Sequence, residues 1–111
     1  MKSRTYLCGP MTGLPEYNYP AFMAVATALR QAGHQVVNPA EDGLPVLAPW
    51  GEHLRLAICK LLTCQQVATL PGCEHSKGAQ LELHIARQLG MPVVAAAEML
   101  STDQFAQISP L

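Results

Sequence analysis

Pro71-Gly-Cys-Glu-His-Ser-Lys-Gly-Ala-Gln-Leu-Glu82, running on through Ala86 to Gly90-Met-Pro-Val-Val94, packs a turn, a helix and the approach to a strand into one short run. A helix that starts near Ser76 and turns by roughly 100° per residue gathers Ala79, Leu81, Leu83, Ile85, Ala86 and Leu89 into one broad apolar arc. Gln80, His84, Arg87 and Gln88 take the opposite side. Glu82 falls inside the apolar arc. A carboxylate buried there has to be paired, hydrogen-bonded or functional, because an isolated buried charge is too costly. The plain alternative is a glutamate on the helix shoulder that reaches solvent.

Working outward in both directions, short β-like runs alternate with longer helical ones, with no repeat or low-complexity linker between them. Arg4 to Cys8 reads as a buried first strand, ended by Gly9-Pro10 and the loop Met11-Thr-Gly-Leu-Pro15. Phe22, Val25, Ala26 and Leu29 recur at i, i+3, i+4 and i+7, one face of a helix. Asn18 is its candidate cap, Pro20 suits the first turn and Gly33 the exit. His34 to Asn38 is a second strand, stopped by Pro39. Ala40 to Pro49 is a loop long enough to lie over a ligand site. From Trp50 a second helix turns Leu54, Ala57, Ile58 and Leu61 inward. Gln66 to Leu70 is a third strand, Ser76 to Leu89 the third helix, and Pro92 to Ala96 a fourth strand. Beyond Leu100, Ser101-Thr-Asp could cap a short last helix.

This rhythm predicts one α/β domain over residues 1–111, with a mostly parallel sheet covered on both faces: a Rossmann-like or flavodoxin-like three-layer sandwich. Ligands in such sheets bind beyond the carboxyl ends of the strands. The loops after Cys8, Asn38 and Leu70 should therefore converge on one cleft, with Glu82 pointing into it.

Composition limits what that cleft can hold. Half of the residues are hydrophobic, 14% are charged and the formal net charge is −1, so no basic patch points to nucleic acid. A small-molecule ligand is the expectation. No apolar run reaches the roughly 18–20 residues that cross a bilayer, and the start lacks the apolar core of a signal peptide. Cys8, Cys59, Cys64 and Cys73 show no CxxC spacing, which argues against zinc and a disulfide scaffold and fits a reducing cytoplasm. His53, His75 and His84 match no metal-ligand pattern, so neither metal nor cofactor is expected. His75 beside the cleft loop could touch a phosphate or base. Trp50 either stacks on a ligand or staples its helix.

Gly9-Pro10-Met11-Thr12-Gly13 follows a strand but lacks both the G-x-G-x-x-G spacing and a P-loop lysine. Ser76-Lys77-Gly78 at a helix start offers free N–H groups, a hydroxyl and a small residue, which suit a single phosphate. Ordinary capping by Ser76 explains the same residues.

Tyr6-Leu-Cys-Gly-Pro10, Asn38-Pro39, Ser76-x-Gly78-x-x-x-Glu82 and Gly90-x-Pro-Val occur together and in this order. With Pro10-Met11-Thr-Gly-Leu-Pro15 and Leu70-Pro-Gly72, the set resembles the nucleoside 2-deoxyribosyltransferase superfamily from about Thr5 to Val94. The likeness is greatest to a small phage and bacterial branch described only as a domain of unknown function. The resemblance implies a flavodoxin-like fold, at least a homodimer, and a glycosidic-bond reaction in which Glu82 attacks the anomeric carbon of a deoxyribosyl group. It implies that Tyr6 orients Glu82. In similar enzymes that hydrolyse 2′-deoxynucleoside 5′-monophosphates, a serine matching Ser76 contacts the phosphate, whereas transferases acting on free nucleosides carry an aspartate close by. Gly9, Pro10, Met11, Asn38, Gly72, Ser76 and Gly78 are the expected substrate-binding positions.

The chemistry is consistent with that resemblance. Breaking an N-glycosidic bond passes through an oxocarbenium-like state, which a carboxylate beneath the anomeric carbon stabilises and can trap covalently. The departing base also needs a proton donor. Members of the family carry an aspartate at the position of Gln65, expected to contact the base, and another that aligns with Ala57. An amide cannot act as an acid. Two main readings follow: an N-glycosidase or deoxyribosyltransferase using Glu82, Tyr6 and the Gln65 position, or a catalytically weakened protein that binds or sequesters a nucleotide. A structural or partner-binding phage protein with a relict cleft is the third.

Overall fold

The computed structural model describes residues 3–45 and 47–100. The proposed cap at Ser101-Thr-Asp lies outside the described residues. Four strands, β1 (Arg4–Cys8), β2 (Gln35–Val37), β3 (Gln66–Thr69) and β4 (Val93–Ala95), form a single sheet in the order β2-β1-β3-β4. Every pairing is parallel, with Tyr6 beside Val37 on one side and Val67 on the other. The helices are α1 (Tyr19–Gln31), α2 (Trp50–Leu61) and α3 (Lys77–Gln88). This is the doubly wound α/β arrangement, and its order reverses between β1 and β3.

Strand alternation assigns the two faces. Leu7, Ala68 and Leu70 pack with Phe22, Val25, Ala26 and Leu29 of α1. Tyr6, Cys8 and Val67 point the other way, onto Leu61 of α2 and Ala79, Leu83 and Ala86 of α3. Both faces of the short parallel strands are thus covered, which such sheets require.

Two local expectations change. Asn18 occupies the cap position of α1, but in a left-handed conformation (φ 61°) its amide donates to the Pro10 carbonyl at 2.9 Å instead of capping the helix. The broad arc on α3 divides. Ala79, Glu82, Leu83 and Ala86 face the sheet, while Leu81 and Leu89 are 40% and 60% exposed. Alanines at two of the buried positions let the helix lie close to the sheet. Leu81 and Leu89 are left to look outward.

Candidate functional site

A cleft of about 340 Å³ opens at the carboxyl ends of β1 and β3, at the point where the strand order reverses. Cleft volumes of this order suit small molecules. Tyr6 and Gly9 come to it from β1 and its following turn, Pro39 and Asp42 from the loop after β2, and Ser76 and Glu82 from α3.

Glu82 is 7% exposed and sits on the buried face of α3. The Tyr6 hydroxyl donates to its Oε2 at 2.5 Å, and the Cys8 thiol lies 3.6 Å from its Oε1. Burial pushes the Glu82 carboxyl above its ordinary range, while the hydrogen bonds from Tyr6 and then Cys8 pull it back. Desolvation and the adjacent carboxylate hold the Tyr6 phenol protonated, well above its usual range. Tyr6 is therefore a fixed donor. Among the described residues, no buried side-chain nitrogen or oxygen lacks a hydrogen-bond partner.

The first turn of α3 forms an adjoining wall. Ser76 is its cap, with Oγ accepting from Ala79 N at 3.2 Å, so its proton remains available to a second acceptor. Its lines of N–H groups begin at the cleft, as the first turn of any helix leaves them unpaired. A Cβ placed on Gly78 would meet Leu54 and Trp50 at 3.8 Å, ordinary contact, so packing alone does not demand glycine there. Trp50 is 47% exposed and carries Lys77 Nζ 5.7 Å above its ring. It both lines the cleft and braces the two helix starts.

Of the expected binding residues, Gly9, Met11, Ser76 and Gly78 line the cleft. The other three have structural roles beside it. Asn38 is buried, and its Oδ1 accepts from Ala40 N at 2.9 Å to cap the turn Pro39–Glu41. Gly72 holds φ +89° against Pro10, a turn that side chains rarely adopt. At Gly9 a Cβ would fall 2.8 Å from Leu70 Cβ, so this glycine is required by packing as well.

Gln65 is placed quite differently from the sequence expectation. It precedes β3 at the amino end of a parallel sheet, whereas the cleft is at the carboxyl end. Its Oε1 accepts from Arg4 N at 2.7 Å and its backbone N–H donates to Arg4 O at 2.9 Å. Gln65 fastens two strand starts and is not part of the cleft lining. Ala57, in contrast, does line the cleft and puts a methyl group there.

Sequence reasoning missed Asp42 and His53. Asp42 Oδ1 accepts from Leu44 N at 2.8 Å, and its Oδ2 lies 2.7 Å from His53 Nδ1. His53 Nε2 is 3.0 Å from the Pro45 carbonyl. Both ring nitrogens thus lie within hydrogen-bonding distance of an oxygen. The pair lines the cleft and clamps the loop after β2 onto α2. The signal was present as an acid inside a Pro-Gly loop and a histidine on α2, but a separation of eleven positions hid their contact.

Fold and cleft together define a doubly wound α/β protein whose switch-point cleft contains a buried, tethered carboxylate. Within that class the chain belongs to the family described as a domain of unknown function (DUF4406), whose model matches residues 3–95. No curated protein matches the sequence.

Proposed function

We propose that the protein cleaves or transfers the N-glycosidic bond of a deoxynucleotide or nucleoside, with Glu82 as nucleophile. The observation that carries this reading is a buried carboxylate held by Tyr6 on the cleft wall at the switch point. An oxygen of Glu82 bonds to the anomeric carbon as the carbon–nitrogen bond breaks, and the base leaves with the electron pair and takes up a proton. Water, or a second base, then displaces Glu82 and regenerates the carboxylate. The Tyr6 hydrogen bond opposes the effect of burial on the Glu82 charge and holds the carboxylate in one rotamer. With Gln65 at the far end of the sheet, the Asp42–His53 pair is the proton-carrying group we assign to the departing base. Ser76 and the first turn of α3 suit a 5′-phosphate.

The second reading, a weakened nucleotide-binding or sequestering protein, is favoured by Ala57, which brings no acid to the cleft wall. We further propose a homodimer, supported by the exposed Leu81 on α3 and Leu89 at its end. Incubation with deoxynucleosides and their 5′-monophosphates, following free base by chromatography, tests the main reading. Calorimetry on the same panel separates the two: base release supports the enzyme, and binding without release supports the second.

A further inference from the structure

Cys8 is a fully buried thiol that the reaction above leaves unused. It stands two residues after Tyr6 on β1, so both side chains leave the sheet on the same face, toward α3. Its Sγ faces two acceptors, Glu82 Oε1 at 3.6 Å and the Ala79 carbonyl at 3.5 Å, and it has one proton to give. We propose that Cys8 is a second positioning residue for Glu82, donating to Oε1 when the carboxylate is charged and turning to the Ala79 carbonyl when it is neutral.

The physical basis is the competition between the acceptors. A carboxylate is the stronger acceptor and takes the proton; once neutral it loses that advantage to the carbonyl. The change needs only rotation about the Cβ–Sγ bond, so the backbone stays still while the charge comes and goes. Burial and the neighbouring Glu82 push the thiol well above its ordinary range, with Cys73 adding slightly and Arg87 opposing. The proton therefore stays on sulfur and can be donated. Among the described residues, Tyr6 and Cys8 of β1 hydrogen-bond Glu82, and the other titratable side chains lining the same cleft are Tyr17, Tyr19, Asp42 and His53. The link to turnover rests on the reading of Glu82 as nucleophile: its charge would vanish on forming the glycosyl ester and return on hydrolysis, and the thiol would follow.

The test reads the charge of Glu82 with no substrate present. Carbon-13 labelling of glutamate carboxyls, with the Glu82 signal assigned by its loss in Glu82→Gln, gives a titration midpoint for the native protein and for Cys8→Ala, Cys8→Val and Cys8→Ser. Circular dichroism checks that each is folded. The midpoint is expected to rise by about half a pH unit or more in the alanine and valine variants, which lack a donor, and to stay near native in the serine variant. An unmoved midpoint in alanine and valine, or an equal rise in serine, overturns the proposal. Should the variants not fold, difference infrared spectra of the native protein in the S–H stretching region, above and below the Glu82 midpoint, take their place. A band shift absent from Glu82→Gln is expected, and an unchanged S–H spectrum overturns the idea. A base-release assay stands apart from these readings: a midpoint that moves in a protein that releases no base sinks the nucleophile and leaves the positioning role standing.

Discussion

Burying Glu82 favours its neutral form, so its carboxyl titrates above the unfolded value. Its contribution to stability is then fully present below the ordinary carboxylate range and is lost as pH rises through the raised folded value. Glu82→Gln removes the charge and keeps the shape. It should abolish base release yet raise stability by about 1 kcal/mol at neutral pH, the size typical of relieving a strained functional site. Urea melts at pH 7 and pH 4 check the sign: the gain should shrink at the lower pH. Tyr6→Phe does the reverse by deleting the donor to Oε2. It should cost about 1–3 kcal/mol at neutral pH and less at pH 4, where a smaller share of Glu82 is charged. Equal losses at the two pH values would show that the hydroxyl matters for packing and not for the charge.

At the scale of elements, the first turn of α3 has two roles that substitutions separate. Ser76→Ala removes the cap on Ala79 N and should cost about 1 kcal/mol of stability. Under the proposed phosphate role it should also weaken 5′-monophosphate binding more than nucleoside binding, as calorimetry would read. An equal effect on both ligands would leave Ser76 as a cap alone. Gly78→Ala has room against Leu54 and Trp50, so it should stabilise the helix by about 0.5–1 kcal/mol. The added methyl projects toward the cleft, and affinity should fall even as the melting temperature rises.

At the scale of the molecule, the proposed dimer follows from what α3 does not bury. Its sheet-facing side is completed by Ala79, Glu82, Leu83 and Ala86, leaving Leu81 and Leu89 outside. Light scattering at micromolar concentration should return twice the chain mass, and Leu81→Glu with Leu89→Glu should return a monomer that is still folded. A native protein that is already monomeric would remove the proposal. The same molecular scale governs the site. A parallel sheet in the order β2-β1-β3-β4 has one switch point, and the cleft lies there because the loops after β1 and β3 diverge to opposite faces.

Periodicity and turn chemistry made the α/β alternation legible from the residues, since each element's pattern is local: α2 begins at Trp50 and β1 spans Arg4–Cys8 as read. Glu82 was legible for the same reason, as a charge breaking an apolar arc, and Tyr6 by the resemblance. Contacts between distant segments were not. Gln65 lies one residue before β3 and so at its amino end, which the expected parallel sheet already set away from the cleft; what only the assembled sheet shows is its pairing with Arg4. Asp42 meets His53 only because a loop folds back on a helix. Leu81 and Ala79 look alike to a hydrophobic pattern, but only the side of α3 that carries Ala79, Leu83 and Ala86 lies on the sheet, which leaves Leu81 facing outward. The sequence by itself determined the elements and the misplaced acid, because both depend on spacing along one chain. Only the tertiary structure decided which oxygen each donor holds and which polar residues the cleft contains, because those depend on how separate elements meet.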